Sequence, residues 1–437
     1  MKRPALSFFA LAVLCSGCLS AAVRTPIVQD YEIVPPAMSA LEQAVWNRAE
    51  LQSQRYEFLA TASELDDSDL NFRPEISGNA QLGASDGSDS SANAVGILSV
   101  NYSQLLNDYG RGDIQKEQAW LELEAQQTAY ALAADQIFAD VARAMIQNQA
   151  AGQKIAIIDR QLGQFREREA QIQQAAAVGV LTNVDLLDIR NSENQIKVTR
   201  SLAVAEQAQS RVVLDRVLQT AAAQTAASRG VGAITQTRLD RLPQWRRVRA
   251  ELLVDQSDAT VNNILSSLRP RLSLQSQVSV PFDPDEDSEL FVGVRWDFTL
   301  YDGGRAAQRA QSQRIRSQSL AQEVEVFDQL VTEGRASLGA TLQGIRLQRA
   351  ALRDQITIRA EGITQLEQLL SVGRADVSTL AQEILAQATT ELSLVDLTAQ
   401  SKLNIVSYAQ TVGGTCEIFK ACENLHLQWR VVPDASL

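Results

Sequence analysis

The stretch from Gly112 to Ala177 constrains the fold more than any other. It contains no proline, only Gly152 and Gly163 weaken its interior, and Ala, Gln, Glu, Leu and Arg dominate it. These are strong helix formers, so the run predicts one helix of about 66 residues, roughly 100 Å long at about 1.5 Å per residue. Ordinary globular helices span roughly 10 to 14 residues, so one of this length belongs in a coiled coil, a bundle or a structure that bridges a gap. The chain turns at Val178-Gly179-Val180-Leu181-Thr182, and a second Ala- and Gln-rich helix is expected from 183 to about 223. Together they make a long hairpin.

Before the hairpin, residues 1–17 read as an export signal: Met1-Lys2-Arg3 is the charged part and Leu6 to Leu14 the apolar part. Ser16-Gly17-Cys18 resembles a lipoprotein box, which makes Cys18 a candidate lipidation site, although Leu19-Ser20-Ala21 would serve an ordinary signal peptidase. Residues 18–38 suit a linker. Ser39 and Glu42 form a capping box for a helix to about Leu65. Alternating residues across 74–105, around a Gly/Ser/Asp tract at 84 to 91, predict a β-hairpin with a polar tip. At Leu106-Asn107-Asp108-Tyr109-Gly110-Arg111 the period changes from two to helical.

After the hairpin, a Thr/Ser/Gly tract from about Thr225 to Thr237 is expected to interrupt the chain. The programme then repeats: a helix over about 243–268, strands across 271–299 around an acidic tip at 282 to 288, a second proline-free helix from Arg305 to about Leu370, a turn, and a last helix over 377–412. Leu106, Asp108, Gly110 and Arg111 match Leu300, Asp302, Gly304 and Arg305 at an offset of 194, and Val178-Gly179 match Val372-Gly373 at the same offset. Two anchors at one offset indicate an internal duplication, with repeat 1 over 39–223 and repeat 2 over 243–412. Arg48-Ala49-Glu50-Leu51 against Arg249-Ala250-Glu251-Leu252 extends it to the preceding helices. Each return helix covers only part of its long partner. The shorter helices 39–65 and 243–268 are of the length needed to complete those columns, giving four columns with four strands at one end.

Composition narrows the function. A net charge of −12 and a single histidine, His426, give no basis for nucleic-acid binding or for histidine-based catalytic or metal chemistry. No cofactor, metal or enzymatic activity is expected. Cys416 and Cys422 remain as a pair in the tail 413–437, and in an oxidising compartment such a pair predicts a disulfide that could clamp the tail or engage a neighbour. No run is long and apolar enough for a spanning helix, so a membrane crossing must use strands. Four strands of about 8 to 11 residues fit an outer membrane, but four cannot close a barrel. Three copies would supply twelve. Tyr102, Phe291, Trp296, Phe298 and Tyr301 lie in or beside strands, either as membrane-interface anchors or as packing at the barrel base. Gly110, Gly303 and Gly304 suit a bend from strand to helix.

Leu300-Tyr301-Asp302-Gly303-Gly304-Arg305, the weaker Leu106 to Arg111, the Val-Gly turns and the duplicated strand hairpins resemble the TolC-like outer-membrane efflux channel family over about 39–412. The resemblance implies a mainly α fold: long antiparallel hairpins forming an α-barrel, and four strands per protomer in a homotrimeric 12-stranded outer-membrane β-barrel. It implies a passive exit duct for efflux or type I secretion, embedded in outer-membrane lipid and docked to a periplasmic adaptor (membrane fusion) protein and an inner-membrane pump. The helix tips, with Val178, Gly179, Leu181, Thr182, Val372, Gly373 and Arg374, are then the adaptor contact. Family spacing places acidic constriction residues six and nine positions after the turn glycine. Asp185 and Asp188 match it after Gly179, whereas Thr379 and Gln382 stand there after Gly373, with Asp376 nearer the tip. Rings of Asp185, with Asp188 or Asp376, would favour cations; a carboxylate decorating the first turn of a helix is the simpler alternative for Asp185. A periplasmic coiled-coil scaffold or adaptor with no channel is the competing reading.

Overall fold

The computed structural model describes residues 30–68, 72–87, 90–179, 183–236, 239–281, 287–372 and 374–432. The export signal and Cys18 lie outside these. Two compact units are present. The smaller is a ribbon of β1 (Asp30–Val34) and β6 (Gln428–Val432), antiparallel from Asp30↔Val432 to Val34↔Gln428. Tyr31 and Trp429 stack at 5.7 Å between ring centroids, and Arg430 pairs with Glu32 at 3.2 Å. Part of the expected linker 18–38 is therefore a strand. Its alternating Tyr31 and Ile33 meet a complement 400 residues away that no local pattern announces.

The larger unit, Pro36–His426, holds α1 (Ala40–Trp46), α2 (Ala49–Ser68), β2 (Glu75–Gly87), β3 (Ser90–Asn107), α3 (Arg111–Ala177), α4 (Asn183–Val217), α5 (Ala221–Ala233), α6 (Trp245–Ser266), β4 (Arg271–Pro281), β5 (Glu289–Asp297), α7 (Arg305–Ser371) and α8 (Val377–Val412). The two long helices are equal at 67 residues each. Helix α3 is flanked by α2 over its strand-proximal part and by α4 over the rest; α7 is flanked likewise by α6 and α8, and α3 also packs on both α6 and α8. The columns therefore stand in the order α2/α4, α3, α6/α8, α7. The sheet order β2-β3-β4-β5 is the same order, because each strand continues the column below it. No described helix is long and apolar enough to cross a membrane.

Several boundaries differ from expectation. The helix expected over 39–65 has its Ser39/Glu42 capping box but breaks at Asn47. The return helix ends at Val217, not near Ala223: Leu218 is fully buried in the break, and Thr220 then caps α5 by accepting from Ala223 N at 3.2 Å. Helix α5 occupies most of the tract expected to interrupt the chain. Its Ala223, Ala227 and Val231 recur at four-residue spacing and are fully buried, so tertiary packing overrides weak local propensity. Strands β2 and β3 have 13 and 18 residues, longer than the 8 to 11 expected.

The thickest core lies midway along α3, where Tyr130, Phe138, Val141 and Ile146 are buried. The tail wraps this waist in two short 3₁₀ turns, Thr415–Phe419 and Cys422–Leu425, and Cys416 is bonded to Cys422. Phe419 stacks on Phe138 at 5.6 Å and seats against Gly230 of α5 so closely that a Cβ there would lie 2.5 Å from its ring. Gln127 donates to Leu425 O, Trp245 stacks on His426, and Cys416 N donates to the Asp135 carboxylate at 2.8 Å. The tail thus ties α3 and α5 of repeat 1 to α6 of repeat 2.

Two predictions follow from the waist. Gly230→Ala should destabilise the protein by about 1 to 3 kcal/mol through overpacking against Phe419. Gly232→Ala, with nothing within 4 Å of the new methyl, should be neutral or mildly stabilising, as for any helical glycine. Thermal melts of the two variants separate these outcomes. Burial raises the Asp135 carboxyl to about 6, with the Cys416 N–H and the charge of Arg246 offsetting only part of the effect. A folded pKa above the ordinary 3.8 means that the folded chain holds this proton more tightly than the unfolded chain. Stability should therefore rise as pH falls from about 7 to about 4, and Asp135→Asn should remove that component of the pH dependence.

Candidate functional site

The four-stranded sheet has two chemically distinct faces, and register assigns every residue to one of them. Directly paired residues of neighbouring strands share a face, and successive residues alternate. Ile76 pairs with Tyr102, Ala80 with Leu98 and Leu82 with Gly96; Val100 pairs with Val278, Leu98 with Val280; Leu272, Leu274 and Val278 pair with Trp296, Val294 and Leu290. That face is apolar on all four strands apart from Gln104 and Ser276. The other carries Ser77, Asn79 and Gln81 of β2, Ser99, Asn101 and Ser103 of β3, Ser273, Gln275, Gln277 and Ser279 of β4, and Arg295 and Asp297 of β5. Ser99 and Ser279 bond across the strands at 3.3 Å, and Arg295 pairs with Asp297 at 3.0 Å.

Among the described residues nothing covers the apolar face: Ile76, Leu82, Leu290, Val292 and Val294 are 61 to 77% exposed. From Leu272 to Val280 it spans about 27 Å of strand at about 3.4 Å per residue, which a tilt of about 40° turns into a height of about 21 Å, close to the apolar band of about 25 Å on outer-membrane barrels. Of the five aromatics singled out in the sequence, Tyr102 and Trp296 lie on this face, and Phe298 stacks on Trp296 at 5.4 Å. Tyr301, 86% exposed, follows in the turn below. Phe291 lies on the polar face with its ring across Gly293, where a Cβ would be 2.7 Å away. Among the described residues both outer strands, β2 and β5, have an unpaired edge.

At the foot of the sheet, β3 and β5 enter α3 and α7 through equivalent turns. Asp108 accepts from Gly110 N at 3.0 Å and Gly112 N at 2.5 Å; Asp302 accepts from Gly304 N at 2.8 Å and Ala306 N at 2.7 Å. These carboxylates cap the long helices at the end where the backbone N–H groups lack partners and the dipole favours negative charge. Those bonds hold the Asp302 carboxyl below its ordinary range. Gly110 and Gly304 take φ of 81° and 78°, in the left-handed region that a side chain would strain. Arg111 donates to Ser267 O and Arg305 to Asp302 O; burial and the nearby Arg271 lower the Arg111 pKa, and Gly303 takes φ of 71°.

At the opposite end, Phe165 of α3, Ile189 of α4, and Val377, Leu380, Ala381 and Ile384 of α8 form one buried cluster, with Ile363, Leu366 and Leu370 of α7 packed on it. The two hairpin tips are thereby held together. Val178 and Val372 are 68% and 67% exposed at their turns, Gly179 has φ of 72°, and Arg374 is exposed. Leu181, Thr182 and Gly373 lie outside the described residues. Asp185 and Asp188 fall on the first two turns of α4, and their side chains lie outside what is described. Asp376 caps α8, accepting from Ser378 N and Ser378 Oγ. Its position directly before Val377 is a signal that helix-capping preference could have identified in the sequence.

Ion pairs stitch the wall between these ends. Lys154 of α3 reaches Asp396 of α8 at 2.7 Å and Glu206 of α4 at 3.5 Å. Burial acts to lower its pKa, but the two carboxylates more than offset that and raise it. Asp159 pairs with Arg200 at 2.6 Å, Arg359 with Glu383 at 2.8 Å, and Arg160 with Glu391. None of these residues stood out in the sequence, because charged residues at helical spacing are common on solvated faces.

No family model matches the chain, and no curated protein matches it in sequence. Solved structures do match in fold. CusC, described in terms of folding and transmembrane channel formation, is similar at a TM-score of 0.72 with 15% identity, covering 86% of this chain and 91% of its own. The CmeC outer membrane channel of Campylobacter jejuni matches at 0.68 with 11% identity, over 86% of this chain and 85% of that one. The MtrE outer membrane channel of Neisseria gonorrhoeae, in its open state, matches at 0.67 with 14% identity, over 90% and 96%. Near-complete coverage in both directions, a duplicated hairpin of 67-residue helices and a two-faced sheet above it establish that the fold is that of the TolC-like outer-membrane channels.

Proposed function

We propose that this protein is the outer-membrane exit duct of a tripartite efflux or type I secretion system, working as a passive homotrimeric channel. The observation that carries the reading is the sheet: among the described residues one face is largely apolar and uncovered, the other is lined mainly with Ser, Asn and Gln, both edges are unpaired, and every strand leads into a helical column. In lipid, bare strand edges are prohibitive, and closure is the only arrangement that removes them. Three copies give twelve strands with the apolar face outward and the polar face around a water-filled lumen. The columns then continue the duct into the periplasm.

The tips, exposed at Val178, Gly179, Val372 and Arg374 and continued in sequence by Leu181, Thr182 and Gly373, are the natural contact for a periplasmic adaptor coupled to an inner-membrane pump. Asp185 and Asp188 are retained as constriction carboxylates. Asp376 remains the alternative partner of Asp185 in that ring, and it also caps α8 through Ser378. Lipidation of Cys18 would add a second attachment to the outer membrane.

Planar-bilayer recording of the purified mature protein, with its mass measured by light scattering, tests this reading. A trimer should give discrete, long-lived conductance steps. Val292→Arg places a charge on the lipid face of each copy, at a cost of roughly 2 to 4 kcal/mol apiece near the bilayer centre, and should abolish incorporation. Gln277→Arg, on the polar face of the neighbouring strand, should leave the steps present and shift the reversal potential toward anions. A monomer without conductance would sink the reading.

A further inference from the structure

The trimer reading leaves open what seals one copy to the next, and the duplication supplies an answer. Within the chain, the turn entering α3 is closed by the column beside it: Arg269 Nη1 donates to Tyr109 O at 2.8 Å and Gly110 O at 3.4 Å. It lies 3.1 Å from where a Gly110 Cβ would sit. The turn entering α7 has the same Asp cap and the same glycine conformation, and Gly303 and Gly304 stand 194 residues after Tyr109 and Gly110. Yet among the described residues nothing closes it. There is open space around a Cβ at either glycine, Gly303 O has no donor among the described residues, and Leu300 beside it is 89% exposed.

The missing closure belongs to the column after α7, and the described residues supply none. In repeat 2, Arg269 stands directly before Pro270, at the point where α6 passes into β4; in repeat 1, Arg73 stands directly before Pro74, where α2 passes into β2. Proline holds the residue before it extended and belongs at the start of a strand, so both arginines leave the backbone in the same setting. Arg73 is exposed and has no hydrogen-bond or ion-pair partner among the described residues.

We infer that Arg73 of one copy closes the Gly303-Gly304 turn of the adjacent copy, as Arg269 closes the Tyr109-Gly110 turn within the chain. The occupant of the bare turn is thus a second copy of this protein, joined head to tail, an interface that generates a ring when the rotation closes. Register agrees with it when β2 is aligned on β4 by the same Arg-Pro step. Carrying the pairing of β3 with β4 over to β5 and the neighbour's β2 sets Val294 opposite Leu82 and Trp296 opposite Ala80, all on the apolar face. It also sets Asp297 opposite Asn79 on the polar face. A slip of one residue would put Val294 against Gln81, apolar against polar.

The test combines cross-linking with dissociation, on the full mature protein. Asp297→Cys with Asn79→Cys should oxidise to a covalent trimer on a denaturing gel, whereas Asp297→Cys with Gly83→Cys, four residues out of register, should not. Arg73→Ala should dissociate from trimer to monomer at a lower temperature than the wild type, with Arg73→Lys in between. If the wild type is trimeric but the Asp297/Asn79 pair fails to cross-link, or Arg73→Ala dissociates at the wild-type temperature, this contact is overturned while the channel reading stands. A monomeric wild type would overturn both.

Discussion

Backbone groups that leave water must find partners within the protein, and most of this architecture answers that requirement. The apolar face of the sheet would suit lipid, but in lipid every N–H and C=O along the outer edges of β2 and β5 would be left unmade, at several kcal/mol each. A sheet of four strands cannot solve this by itself. The fold instead sets the four strands at even spacing, each rooted in its own helical column, so that repetition of the same unit can continue the ladder.

The duplication makes that repetition economical. Both long helices have 67 residues, both begin with an Asp-capped glycine turn, and both are flanked by one short helix and one return helix. Equal lengths keep the two hairpin tips level, and there the cluster around Leu380 and Ile384 joins them. The waist is where the repeats diverge. Helix α5 has no counterpart in repeat 2, and the disulfide-bonded tail fills the corresponding role, seating Phe419 on Gly230 and Cys416 on Asp135. Asymmetry is concentrated in this belt and in the strands, 13 and 18 residues long in repeat 1 against 11 and 9 in repeat 2, while turns and long helices stay alike.

Much of this was legible in the sequence, and what was not shares a cause. The absence of proline and the Val-Gly turns mark the long helices, whose observed ends at Ala177 and Ser371 lie within a residue of those expected. Period-two alternation marks the strands, although the length of β3 was hidden by the Gly/Ser tract. The waist was not legible: the Ala-, Ser- and Gly-rich α5 is decided by a phenylalanine nearly 190 residues away, and Asp135 differs from other helical acids only in being buried. The pairing of β1 with β6 depends likewise on distant residues. At the tips, Asp185 and Asp188 stand at the family spacing after Gly179 and Asp376 stands nearer the second turn, where it caps α8.

The claim on which the rest turns is that the sheet separates lipid from water, one face to each. Cysteine scanning of β4 from Ser273 to Ser279 in proteoliposomes, with a membrane-impermeant thiol reagent, tests it directly. Labelling should alternate, strong at 273, 275, 277 and 279 and weak at 274, 276 and 278. Uniform labelling along the strand would show both faces in water and contradict a membrane-spanning sheet.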